Sequence, residues 1–267
     1  MELSLDPGVL AALAVAEWLY LRALRILRGR GVTVPLAQKL FWHTALALWL
    51  VAIVGFGAYA DEGLTPHMAE HVLIADISAP LLLAGLRNPV LGFYLPRPVL
   101  VTFARQQRLR SVFRVLRRPL VAVPVWIVVL YGWHYGVPFE AAVRNPAVHA
   151  LQHACFVGAG MLVWWSALEP QRRRLRGELW KIPYIFGARL PAMMLGMGFI
   201  FVRVPLYEGV YGTGERAFGL DAIADQQIAG GLMMTTDILI VVFALCFFFY
   251  RAAQDAEEER PAALTRP

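Results

Sequence analysis

Seven long apolar stretches, separated by short segments that are either basic or acidic, dictate most of what this chain can become. The hydrocarbon core of a bilayer is about 30 Å thick and takes roughly 20 helical residues to cross. Stretches of that length occupy residues 7–28, 37–60, 66–86, 119–138, 146–168, 183–206 and 223–250. Backbone polar groups find no water inside lipid, so each stretch must satisfy its own hydrogen bonds as a helix. The composition agrees, with 58% hydrophobic and 16% charged residues and a mean hydropathy of +0.55. The expected architecture is all-α: a polytopic membrane bundle of seven transmembrane helices forming one domain over residues 1–250. A net charge of +6 on a soluble fold would suggest nucleic acid. Here the basic residues lie between apolar stretches, which is a topology signal, and the partner they imply is the lipid bilayer.

The same charges set the orientation. The connections after the first, third and fifth stretches carry Arg28, Arg30 and Lys39, then Arg87, Arg97, Arg105, Arg108, Arg110, Arg114, Arg117 and Arg118, then Arg172, Arg173, Arg174, Arg176 and Lys181. Basic loops remain in the cytoplasm. The alternate connections hold Asp61 and Glu62, Glu140 and Arg144, and Glu208, Glu215, Arg216 and Asp221, an acidic or balanced set. The N-terminus is therefore expected outside and the C-terminus in the cytoplasm. Residues 1–6 have no basic cluster and no cleavage site follows them, so the first stretch reads as an uncleaved helix. Leu109, Val112, Phe113 and Leu116 recur at helical spacing among arginines, predicting a basic amphipathic helix on the cytoplasmic leaflet within the connection 87–118. The polar tail 251–267 reads as disordered. Cys155 and Cys246 fall toward opposite faces of the membrane, too far apart for a disulfide.

With depth assigned, the histidines are lopsided. His67 and His71 open the third stretch, His134 closes the fourth, and His149 and His153 open the fifth, so five of six share the outer leaflet. His67/His71 and His149/His153 are each four apart, which projects both rings of a pair from one helix face. Such pairs can grip one ion. Asp225 and Gln226, at the outer start of the last stretch, are candidates to hydrogen-bond the second ring nitrogens and fix their tautomers, and Glu70 is a candidate partner at the edge. Met68 neighbours the first pair, while Met193, Met194, Met197, Met233 and Met234 lie deeper. Methionines at helical spacing are ordinarily core filler; imidazole with thioether, if both ligate, favours copper over magnesium or calcium. His43, at the inner end of the second stretch, reads as an interhelical contact. Glu17, Asp76, Arg189 and Asp237 are charged groups inside spans and need partners; depth allows Arg189 to pair with Asp76 or Asp237.

Two other chemistries share these residues. Residues 67–71, HMAEH, fit the inverted zinc-protease pattern, in which two histidines hold zinc and Glu70 activates water. Paired histidines also serve as axial ligands of haem in membrane cytochromes. Such cytochromes place ligands in both leaflets, whereas the inner leaflet here offers only His43.

Taken in order, HMAEHVLIADISAPLLLAG at 67–85, WH at 133–134, HALQHACF at 149–156, WW at 164–165 and DQQIAGGLMM at 225–234 resemble the polytopic CtaG-type assembly factors of bacterial cytochrome c oxidase. The resemblance implies a multi-pass protein of the bacterial cytoplasmic membrane that is not an enzyme. It implies a role in maturing a haem-copper oxidase, with oxidase subunits and a soluble copper chaperone as partners and copper as the ion handled. His67, Met68, His71, His134, His149, His153, Asp225 and Gln226 are the positions that match the family's motifs.

Overall fold

The computed structural model describes residues 7–168 and 177–264. Apart from one bridge pairing Arg216 with Leu220, these residues are helical or loop, with no strand among the described residues. The main helices are α1 (Pro7–Gly29), α2 (Leu36–Tyr59) and α3 (Leu64–Gly85). Three short helices follow, α4 (Leu91–Tyr94), α5 (Arg97–Arg105) and α6 (Gln107–Leu116). Then come α7 (Pro119–His134), α8 (Gly136–Arg144), α9 (Pro146–Leu168), α10 (Lys181–Phe201), a single turn α11 (Glu208–Tyr211) and α12 (Ala222–Leu264).

Of the seven spans expected, five described helices are long and apolar enough to cross a membrane: α2, α3, α9, α10 and α12. A sixth arises if α7 and α8, bent by 68°, make one broken span. The first helix, which carries Glu17, Arg22 and Arg25, is not among them. Outward-facing Leu120, Val128, Phe201, Leu239 and Phe243 are all more than 60% exposed, an apolar coat that water would not tolerate and lipid does. The protein is an integral membrane protein.

Where sequence predicted one fourth span over residues 119–138, α7 stops at His134. Pro138 has no N–H with which to continue the ladder back to the His134 carbonyl. That freed carbonyl accepts instead from the Tyr207 hydroxyl at 2.6 Å. Helix α3 meets a comparable problem at Pro80 and takes it up as a wider π-helical stretch, Val72–Ser78, in which the Ser78 hydroxyl donates to the Leu73 carbonyl at 2.7 Å. In the tail, helix α12 continues to Leu264, and residues 265–267 lie outside the described residues. Residues 1–6, Arg172–Arg174 and Arg176, used above for orientation, lie outside the described residues.

Glu17, Asp76, Arg189 and Asp237, the charged residues expected inside spans, are paired. Arg189 on α10 lies between Asp76 on α3, at 2.7 Å, and Asp237 on α12, and its guanidinium covers the Trp126 ring at 5.3 Å. Sequence left the choice of partner open; both carboxylates take part. Glu17 receives the indole N–H of Trp42 at 2.8 Å and faces His43 at 3.2 Å, joining α1 to α2 as the interhelical reading of His43 requires. Helices α3 and α9 approach so closely that a Cβ on Gly160 would stand 3.0 Å from the Ala75 carbonyl oxygen. Glycine at 160 allows that crossing, and the crossing brings the outer halves of both helices together.

Candidate metal centre

The histidine pairs owe their position to a helix cap from far along the chain. Gly63 is extended at the entry to α3, and the Asp225 carboxylate, from the first turn of α12, accepts the N–H groups of Leu64 at 2.7 Å and Thr65 at 2.8 Å. A carboxylate at a helix N-terminus satisfies orphan donors and meets the positive end of the dipole. Its second neighbour is the guanidinium of Arg216 at 3.3 Å, and both side chains are fully buried. Asp225 is therefore not a partner of the imidazoles. Gln226 is not one either: its amide donates to the carbonyls of Phe199 at 3.1 Å and Val202 at 3.0 Å, and its oxygen accepts from Leu206 N–H at 2.8 Å. The end of α10 leaves carbonyls without helical donors, and the amide reaches those first.

From this anchored start, His67 and His71 point across to His149 and His153 on α9. Ring centroids are 4.5 Å apart for His67 and His71, 4.9 Å for His67 and His149, 4.9 Å for His71 and His153, and 4.2 Å for His149 and His153. Glu70 completes the group rather than standing at its edge. Its carboxylate oxygens lie 3.8 Å from His149 Nε2 and 3.7 Å from His153 Nε2. Gly57, at the end of α2, makes the space, since a Cβ there would sit 2.9 Å from Glu70 Oε1. Two donor sets result, His67/His71/His149 and Glu70/His149/His153, each with ligand atoms within 4.8 Å of one another.

His134 and Met68 are set apart from these four rings. His134 packs against Phe139, Phe156 and Phe199, with centroids 5.7 to 6.5 Å away. Its Nδ1 is 2.7 Å from the Leu130 carbonyl. With Met68 and His71 it borders a small cavity of about 20 Å³. Met194 and Met197 face outward, 57% and 44% exposed, away from the histidines.

The chemistry of the cluster follows from what its buried atoms lack. Both ring nitrogens of His71, Nε2 of His149 and His153, and Glu70 Oε2 have no hydrogen-bond partner among the described residues. Burying one such group unpaired costs about 1–3 kcal/mol, so five in one place point to a bound species that they serve together. Neutral imidazole nitrogens and a carboxylate are the ordinary donors for a divalent transition metal, and the donor set fits one. Nitrogens around a small tetrahedral ion at about 2 Å are roughly 3.3 Å apart. A spread of up to 4.8 Å is more open than the arrangement around a bound ion.

A cavity of about 150 Å³ reaches this cluster, bordered by Gly57, Asp61, Glu70, Pro146, His149 and His153. Asp61, in the connection between α2 and α3, stands at its mouth; burial, and then the neighbouring Glu62 charge, raise its carboxyl above the ordinary range. The approach to the histidines is acidic and suits a cation. Sequence spacing had indicated both histidine pairs but not Asp61, which had served only as a topology marker.

Among known proteins, the profile described as cytochrome c oxidase caa3 assembly factor matches residues 18–255. No curated protein and no solved structure matches the chain. A match over nearly the whole described length, on a helical membrane bundle that gathers the HMAEH and HALQH motifs at one depth, places this chain in the family of cytochrome c oxidase caa3 assembly factors.

Proposed function

We propose that the protein takes up copper at the outer leaflet and holds it for insertion into the oxidase, acting as a carrier rather than an enzyme. One observation supports this reading: four imidazoles and a carboxylate, from two helices, meet in a buried group in which both ring nitrogens of His71, Nε2 of His149 and His153, and Glu70 Oε2 have no hydrogen-bond partner among the described residues. The full orientation belongs to the same proposal. Helix α1 and the bent α7–α8 pair join the five clear spans to make seven, with the N-terminus and the acidic cavity mouth outside. Copper then enters from the side on which a soluble copper chaperone would present it, and the partners on exit are oxidase subunits in the same bacterial cytoplasmic membrane. In this scheme α5 and α6, whose Val112, Phe113 and Val115 are at least 40% exposed among arginines, rest on the cytoplasmic leaflet.

The packing favours an ion over haem. Imidazole rings in direct mutual contact leave no slot between them for a flat macrocycle. It also disfavours a protease, because Glu70 faces the second histidine pair and is taken up in the donor set, leaving no free base beside the first pair.

Metal analysis and electron paramagnetic resonance on the purified protein in nanodiscs test the proposal. Wild type is expected to hold copper(II) stoichiometrically with nitrogen hyperfine structure, and His67→Ala and His153→Ala are expected to lose it. A Soret band, or copper content unchanged in both variants, would sink the reading.

A further inference from the structure

Beside the imidazole cluster lies the cavity of about 20 Å³, bordered by Met68, His71, Asp76, His134 and Met233. We propose that it is a second, deeper site for a soft monovalent cation, copper(I), held by His134 Nε2 and the thioethers of Met68 and Met233. The inference deepens the copper reading and rests on it.

Volume is the first argument. A space of 20 Å³ accepts one particle of about the size of a water molecule and no organic ligand. The second argument is the state of His134. A carbonyl only accepts, so the 2.7 Å contact from Nδ1 to the Leu130 carbonyl puts the proton on Nδ1. Nε2 is then the lone-pair nitrogen; it is buried and has no partner among the described residues. An imidazole whose other nitrogen donates to a backbone carbonyl is the usual form of a metal-bound histidine.

Donor softness is the third. Met68 is 1% exposed and Met233 6%, and both belong to one packed group in the outer half of the bundle. Two thioethers and one imidazole form a donor set that copper(I) accepts and that magnesium, calcium and zinc do not prefer. The charge balance suits a monovalent ion. Asp76 and Asp237 share one Arg189, a formal −1 with both carboxylates ionised, and Asp76 borders the cavity. His71 stands between the two sites, with its ring against His67 and His153 above and its edge on the cavity below. An ion delivered as copper(I) passes from one to the other with no electron transferred.

Anaerobic titration of the full chain in nanodiscs with copper(I), against a chromophoric chelator, with X-ray absorption at the copper edge, tests this. Wild type is expected to show sulfur ligation. The Met68→Leu, Met233→Leu double variant, which preserves volume, should lose the sulfur signal and bind copper(I) at least tenfold more weakly. Its copper(II) resonance from the upper cluster should be unchanged, which also reports that the variant is folded. His149→Asn with His153→Asn should do the reverse, losing copper(II) and keeping sulfur-bound copper(I). Copper(I) held by nitrogen and oxygen alone in wild type, or full copper(I) affinity in the leucine variant, would overturn the deeper site while leaving the upper one standing. Absence of binding in both oxidation states would remove the copper reading itself and the deeper site with it.

Discussion

At the scale of single residues, the site depends on where side chains are given space. Gly57 is the clearest case, because its missing side chain is the room that Glu70 occupies. Gly57→Val is expected to push the carboxylate off His149 and His153 and to weaken copper(II) binding roughly tenfold, the lower end of what loss of a supporting group costs a metal site. Competition titration against a chelator reads this; unchanged affinity would mean that Glu70 plays no part in holding the ion. The histidine pairs were legible in the sequence because a separation of four residues fixes two rings on one helix face whatever else the fold does. Glu70 was misjudged for a related reason. Spacing gives its direction relative to His67 and His71, but the α9 rings that it meets depend on a crossing that no local pattern encodes. His134 likewise shows its type and depth in sequence, whereas its tautomer is a contact with its own helix carbonyl, visible only once coordinates exist.

At the scale of elements, α3 starts where Asp225 tells it to. The capping carboxylate comes from about 160 residues further on, and sequence reading assigned it to the imidazoles because depth alone cannot separate a backbone donor from a ring nitrogen. Asp225→Ala removes two capping bonds and strands Arg216 in a buried position. Breaking a buried pair from one side costs about 3–5 kcal/mol, so a fall in melting temperature on the order of 10 °C is expected in detergent. Asp225→Asn, which can still accept the N–H groups, should lose less. Equal melting points for Asp225→Ala and wild type would show that the cap does not hold α3. The prolines act differently: near Pro80 the helix takes up the disturbance as a wider turn, while α7 and α8 meet beside Pro138 at a 68° bend. Tyr207 marks the difference, because it supplies a donor to the carbonyl released at His134.

For the whole molecule, the apolar stretches located every long helix, while the number that cross lipid is a property of the bundle in its bilayer. Alkaline phosphatase fusions address this directly. Fusions after residues 62, 145 and 215 are expected to be active, and fusions after 106 and 258 inactive. Activity at 106 would invert the topology and put the histidines on the cytoplasmic side. The bundle also has a mechanical aspect. The histidine pairs ride on two rods, α3 and α9, that are in close contact where Ala75 meets Gly160, seven residues beyond His153. At a rise of 1.5 Å per residue that contact is a fulcrum about 10 Å beneath the jaws. A swing of about 6° there opens the jaws by about 1 Å, several times the roughly 0.2 Å tolerance of a metal–ligand bond. For the carrier proposed above, release of cargo would then require no unfolding and no large domain movement, only a client protein that leans on one rod.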